Sequence, residues 1–271
     1  MGQFDQEIDS HETGVLQRMC AILDCFDQES PTLGVREIAR ITGFSSSTTG
    51  RLLQRMKNQR LLRQDPVTRE YALGMRLLNW AGVFLTSLDI RSVAMPVMVD
   101  LLSATRETIS LYLRDGLERV CVERLESPQN VRIIARLGLR LPLHAGSAGK
   151  VMLAFLPQEI QEAVYLDKDL KVFTDRTITD RSVLIAELEQ IRRQGYATSH
   201  GEWIADASGV AAPVFSGSEL IGAVTISGPS QRFTPERVAE YARLVVQAGS
   251  TISEELGFNP VSSPSGSRKA L

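Results

Sequence analysis

Residues 35–59 read VREIARITGFSSSTTGRLLQRMKNQ, and this run decides the fold of the first part of the chain. Val35 to Ile41 fits a short helix with Ile38 and Ile41 turned inward, and Thr42-Gly43 ends it with a residue suited to a left-handed C-cap. Ser45, Ser46 and Ser47 supply N-cap hydroxyls for a further helix running to Gln59, whose inner stripe is Leu52, Leu53 and Met56. Two helices joined by so tight a turn make a helix-turn-helix. Upstream, Val15, Leu16, Met19, Ile22, Leu23 and Phe26 recur at three- and four-residue steps and predict an amphipathic helix between Glu12 and Phe26, with Pro31 breaking the chain after it. Downstream, Leu61 to Gln64 and Glu70 to Leu73 flank Asp65-Pro66-Val67-Thr68-Arg69, which predicts two short strands around a turn, a wing.

The formal net charge of the 271 residues is −2, from 30 basic and 32 acidic residues, and as a bulk figure gives no pull toward nucleic acid. The sum conceals an asymmetry. Residues 1–34 carry only Arg18 against seven acidic residues, whereas residues 35–74 carry eight basic against three acidic, a local net of +5. The polar side of the second helix offers Ser45, Ser46, Ser47, Thr48, Thr49 and Arg51 with no bulky apolar group among them. Short hydroxyls let a helix approach a groove, and an arginine can read guanine by two hydrogen bonds. Arg36, Arg55 and the wing's Arg69 complete the candidate DNA-contacting set. Taken alone, the Ser/Thr run is equally a capping run followed by a solvated face. Tight turn, hydroxyl-rich helix start and basic wing, in that order, favour a duplex.

With 43% hydrophobic and 23% charged residues the chain has an ordinary globular composition, and its length suits two domains. Leu73 to Ala94 reads as a linker helix, apolar on more than one face, expected to pack on the winged domain and on a second subunit. Beyond Pro96 a helix (97–105) leads to strands at 108–113, 119–125 and 131–135, helices at 150–156, 158–166 and 181–193, strands at 196–200, 209–215 and 221–227, and a helix from Pro235 to Leu256. This alternation predicts an α+β layer with a mainly antiparallel sheet. The expected organisation is a DNA-binding domain at 1–74, a linker helix at 75–95, a ligand-binding domain at 96–257 and a disordered tail at 258–271.

Several chemistries are disfavoured. No apolar run approaches a membrane span and the N-terminus is acidic where a signal peptide is basic, so a cytoplasmic protein with no membrane partner is expected. Cys20, Cys25 and Cys121 form neither a disulfide framework nor a zinc pattern. Gly146-Ser147-Ala148-Gly149-Lys150 fails as a phosphate loop, because His144 stands where the first glycine belongs and Val151 where a magnesium-binding hydroxyl belongs. His144 near Ser147 lacks a nucleophile elbow. No catalysis, cofactor or metal is expected. The small-residue turn has a better use: Ser147, Ala148 and Gly149 would open a helix whose free N–H groups favour a carboxylate. Thr225 and Ser227, on one face of the last strand, imply that this face meets something polar.

The runs Arg36 to Gly43, Ser47 to Leu53 and Tyr71-Ala72-Leu73-Gly74 resemble the winged helix-turn-helix of IclR-type bacterial transcriptional regulators. The resemblance continues through Leu143 to Lys150, Phe173-Thr174 with Thr177-Ile178, Ile191-Arg192 with Gln194-Gly195-Tyr196, Ala211-Ala212-Pro213-Val214 and Ile226-Ser227-Gly228-Pro229. It implies a winged helix-turn-helix joined by a linker helix to a GAF-like α/β effector-binding domain. It also implies effector contacts at Ser147 and Ala148, at Ser199 and Glu202, at Gly209, and at Thr225 and Ser227, with Ile133 and Leu141 as apolar walls. Ser199 stands where the family often has Asp, and Asp206 where Gly is common. The implied protein is a homo-oligomeric (dimeric or tetrameric) regulator, a repressor rather than an activator of a catabolic operon. Its partners would be a double-stranded DNA operator and a small organic acid or aromatic carboxylate. An enzyme or an adaptor carrying a winged-helix module remains the alternative.

Overall fold

The computed structural model describes residues 14–27, 29–86, 89–133, 136–166 and 170–258. The chain divides into two compact units, Met1–Ser87 and Leu88–Leu271. The start of the first predicted helix, the last two residues of the strand predicted at 131–135, and the tail beyond Phe258 lie outside the described residues.

In the first unit α1 (Val15–Leu23), α2 (Val35–Thr42) and α3 (Ser46–Asn58) are followed by β1 (Leu62–Gln64), β2 (Tyr71–Leu73) and α4 (Met75–Thr86). Gly43 ends α2 at φ 71°, the left-handed conformation that glycine adopts without steric cost. Ser45 caps α3: its hydroxyl accepts from the Thr48 N–H. Only this one of the three serines is the N-cap. The strands pair antiparallel, Leu62 opposite Leu73, and Leu33 joins them by exchanging two backbone hydrogen bonds with Tyr71. Ile22, Ile38, Leu53 and Met56 are fully buried together, each contributing about 1.5–3 kcal/mol by leaving water. Two expectations fail here. Ile41 is 50% exposed, because the inner stripe of α2 is centred on Ile38 and Ala39; Val15 and Leu16 are exposed, because only the last turns of α1 reach the core.

The linker helix expected over 73–94 forms as two helices, and the second runs through Pro96. The chain forms α4 and then α5 (Asp89–Thr105), with Pro96 inside α5, so the boundary expected at residue 95 falls within a helix. An interior proline costs about 3 kcal/mol. Ile90, Ala94, Met98 and Leu101, spaced along one side of α5 across the proline, are buried in the second unit's core and offset that cost.

The second unit is built on a six-stranded sheet with order β5-β4-β3-β8-β7-β6, every neighbouring pair antiparallel. The strands are β3 (Thr108–Asp115), β4 (Glu118–Leu125), β5 (Arg140–Pro142), β6 (Ala197–His200), β7 (Ala207–Ser216) and β8 (Glu219–Pro229). One face, with Ile109, Leu111, Val210, Ala212, Val224 and Ile226, packs on α5 and on α9 (Pro235–Glu255). The other face receives α6 (Gly146–Phe155) and α8 (Arg181–Gln194), with α7 (Gln158–Leu166) beside α6. The expected strand at 131–135 does not form over its described residues. The edge of β4 is taken by β5, Glu118 opposite Pro142, and the carbonyl of Ile133 accepts instead from the Thr108 hydroxyl.

Candidate nucleic-acid face and ligand pocket

On α3 the helical period separates two sides. Thr49, Leu52, Leu53 and Met56 are buried; Thr48, Arg51 and Arg55, spaced i, i+3, i+7, share another stripe, and both arginines are exposed. Thr49 therefore leaves the candidate contact set: it is 0% exposed, and its hydroxyl has no hydrogen-bond partner. Ser46 and Ser47 at the start of α3, and Arg36 on α2, are exposed. Ser45 is exposed too, with its hydroxyl engaged in capping and in a 2.9 Å bond to the Thr48 hydroxyl. Among the described residues none of Arg36, Arg51, Arg55 and Arg69 pairs with a carboxylate. At the wing tip the Asp65 carboxylate accepts from the backbone N–H groups of Val67 and Thr68, which hold its pKa below the ordinary value, and Arg69 adopts φ 63°. The Lys57 ammonium donates to the Gln64 side chain at 3.0 Å, and that amide donates to the Arg69 carbonyl, so α3 and the wing are tied together. The result is an exposed, unpaired row of cations on a helix and its adjoining hairpin.

In the second unit, antiparallel register places Ser199, Gly209, Ser227 and Thr108 in one row across four strands, and Ala197, Ala211, Thr225 and Ser110 in the next. These short side chains leave a hollow beneath the first turn of α6. The cavity measures about 80 Å³ and is lined by eight of the nine expected residues: Ile133, Leu141, Ser147, Ala148, Ser199, Gly209, Thr225 and Ser227. Gly209 is what keeps it open, since a Cβ there would stand 2.9 Å from the Ser147 hydroxyl. A larger neighbouring hollow of about 250 Å³, with His144, Lys171 and Phe173, shares Leu141 and Trp203 as walls.

The ninth residue, Glu202, has a different task. Its carboxylate accepts from the Gly146 N–H at 2.9 Å and from the Lys150 ammonium at 2.6 Å, and Lys150, 1% exposed, also reaches Glu187 at 2.8 Å. The anion expected at the α6 N-terminus is thus supplied by the chain itself, from 56 residues away. Thr177 donates to the Glu202 carbonyl and fixes the loop. Lys150 is consumed in the same ion triad.

Sequence reasoning missed eight lining residues, among them Tyr112, Arg119, Leu139 and Trp203. Arg119 is 3% exposed, with its guanidinium carbon 5.5 Å from the centre of the Tyr112 ring. Its signal was its place two residues before Cys121 on β4, on the buried side of the strand. Burial holds its pKa below that of an ordinary guanidinium, pushes the Tyr112 phenol up to about 12 and the Cys121 thiol up to about 11. The phenol and thiol are therefore neutral at physiological pH.

Family models match both units: the IclR helix-turn-helix domain over residues 15–66, and the bacterial transcriptional regulator IclR C-terminal domain over residues 83–254. The chain belongs to the IclR family of bacterial transcriptional regulators. It is 32% identical over 244 residues to the transcriptional repressor AllR of Escherichia coli K12, covering 90% of each chain. The crystal structure of Thermotoga maritima IclR matches with 30% identity and a TM-score of 0.73, over 89% of this chain and 98% of that one. An IclR homolog from Microbacterium hydrocarbonoxydans, solved in complex with 4-hydroxybenzoate, matches with 29% identity and a TM-score of 0.79, over 90% and 99%. As an IclR-family member the chain is a ligand-responsive DNA-binding regulator and not an enzyme. Among the described residues no helix is long and apolar enough to cross a membrane.

Proposed function

We propose that this regulator represses a catabolic operon by holding a two-fold related operator with paired winged units, and that an organic acid in the cavity beneath α6 releases it. The carrying observation is the cavity itself: short hydroxyl side chains from α6, β6 and β8 converge, over Gly209 of β7, on one small hollow in the unit that matches the family's C-terminal domain. The repressor sense is supported by the resemblance to AllR, which is named a repressor. Coupling requires the acid to bind one arrangement of the protein better than another.

Homo-oligomerisation is supported by α4, which leaves Met75, Leu78, Trp80 and Val83 at 52–72% exposure in a helix with few charges. A second copy covering these side chains removes them from water. Sedimentation at micromolar concentration is expected to show a dimer or tetramer.

A short acid fits best, since about 80 Å³ is roughly half of the 150 Å³ cavity that holds benzene in an engineered protein. An aromatic carboxylate is the second reading, favoured by the Tyr112 and Trp203 rings in the lining and by the 4-hydroxybenzoate bound to the Microbacterium homolog. The test is a gel shift on the gene's own upstream region, at several salt concentrations, with and without short acids and benzoates. Sequence-selective binding that weakens steeply with salt and is relieved by one class of acid is expected.

A further inference from the structure

Arg119 is the only buried arginine among the described residues, and no carboxylate lies within ion-pairing distance of it. Its Nη1 donates to the carbonyl oxygens of Pro142 at 2.6 Å and Ala145 at 2.7 Å, which uses both hydrogens of that nitrogen and fixes the guanidinium plane. Nε is buried with no partner, and Nη2 makes no hydrogen bond among the described residues. These two nitrogens form one edge of the guanidinium, the edge whose parallel N–H groups match the two oxygens of a carboxylate. The Glu202 carboxylate is already bonded through Oε2 to the Gly146 N–H and through Oε1 to Lys150.

A buried charge of this kind is costly unless something pairs with it. The residue lines the cavity together with Ser147, Ser199 and Ser227. The Tyr112 ring offers only the weaker attraction of its π face.

We propose that the Nε–Nη2 edge of Arg119 grips the effector's carboxylate side-on and sets the pocket's preference for acids over neutral ligands. The α6 N-terminus, capped by Glu202, does not take this role. The assignment rests on the reading of the cavity as the effector site.

The test titrates the full-length protein by calorimetry with acetate, pyruvate and benzoate, each against its primary amide, in wild type, Arg119→Met and Gly209→Val. Cooperative thermal unfolding and operator affinity report whether each variant is folded. Wild type is expected to prefer the acid. Arg119→Met is expected to lose roughly 30-fold or more of the acid affinity while binding the amide as before. Gly209→Val, which fills the cavity, is expected to lose both. Should Arg119→Met not fold, Arg119→Lys keeps the charge without the two-pronged edge, and its acid-over-amide preference is expected to fall roughly tenfold. Acid binding that is undiminished in a folded Arg119 variant but lost in Gly209→Val overturns the Arg119 assignment and leaves the cavity as the site. Acid binding that survives both variants, or wild-type protein that binds none of the acids, overturns the cavity reading and the assignment with it.

Discussion

Strand β8 and helix α3 each have two sides, and the pairs differ in an instructive way. On β8, Val224 and Ile226 face the aliphatic layer under α5 and α9, while Thr225 and Ser227 face the cavity under α6. Both sides are largely withdrawn from water; what separates them is that one is filled and the other hollow. On α3 the inner side, with Leu53 and Met56, is fully buried, and Arg51 and Arg55 on the other are exposed. The exposed arginines need no partner, because water solvates them. Arg119 has no such relief. The same side chain, unpaired in both units, is energetically ordinary in one place and a demand for a ligand in the other.

The largest expected effect falls on the filled side. Ile226→Ala removes fully buried methyl groups from the layer shared with Ile109 and Val210, and is expected to cost about 2–5 kcal/mol of unfolding free energy. Urea titration of the full chain measures it, and ligand affinity per folded molecule should be unchanged. A loss of affinity without a loss of stability would mean that the two faces do not separate core from site.

On α3 the corresponding substitution is Arg51→Ala. Operator affinity is expected to weaken by about 1–3 kcal/mol if the guanidinium reads a base, with preference relaxed at that base pair. Weakening spread evenly over operator variants would place Arg51 on a phosphate. Unchanged gel-shift affinity removes it from the interface. Stability is expected to stay within about 0.5 kcal/mol, since the side chain is exposed.

Both contrasts were largely legible as periodicity. A period of two on β8 set Thr225 and Ser227 apart from Ile226, and steps of three and four on α3 marked Leu52, Leu53 and Met56. The failures came from interactions that sequence spacing does not encode. Val131 to Ala135 had the stronger strand composition, yet the edge of β4 pairs with Arg140–Pro142, a choice made between distant segments. Pro96 marked a helix end locally and was overruled by the side chains that α5 buries on both sides of it. The N-terminus of α6 looked open to an anion because its occupant, Glu202, is remote in the chain. Arg119 was passed over because arginine in a strand is ordinarily solvated. Thr49 is a different matter: it falls in step with the buried stripe of α3, and that period, not the hydroxyl-rich run around it, decides its side.

Two threonines give the smallest and sharpest test, because Thr→Val nearly preserves shape while deleting one hydroxyl. Thr225 lines the cavity, and its hydroxyl donates to the Ser110 carbonyl at 3.3 Å. Thr225→Val is expected to weaken acid binding by about 1 kcal/mol and to leave operator affinity alone. Thr49 has a buried hydroxyl without a partner, so Thr49→Val replaces an unsatisfied polar group by a methyl group. Stability is expected to rise by up to about 1 kcal/mol, with operator affinity unchanged. If Thr49→Val instead lowers operator affinity while the fold holds, the hydroxyl reaches the duplex. In that case the two sides of α3 are not divided between core and interface, and the division on β8 loses its parallel.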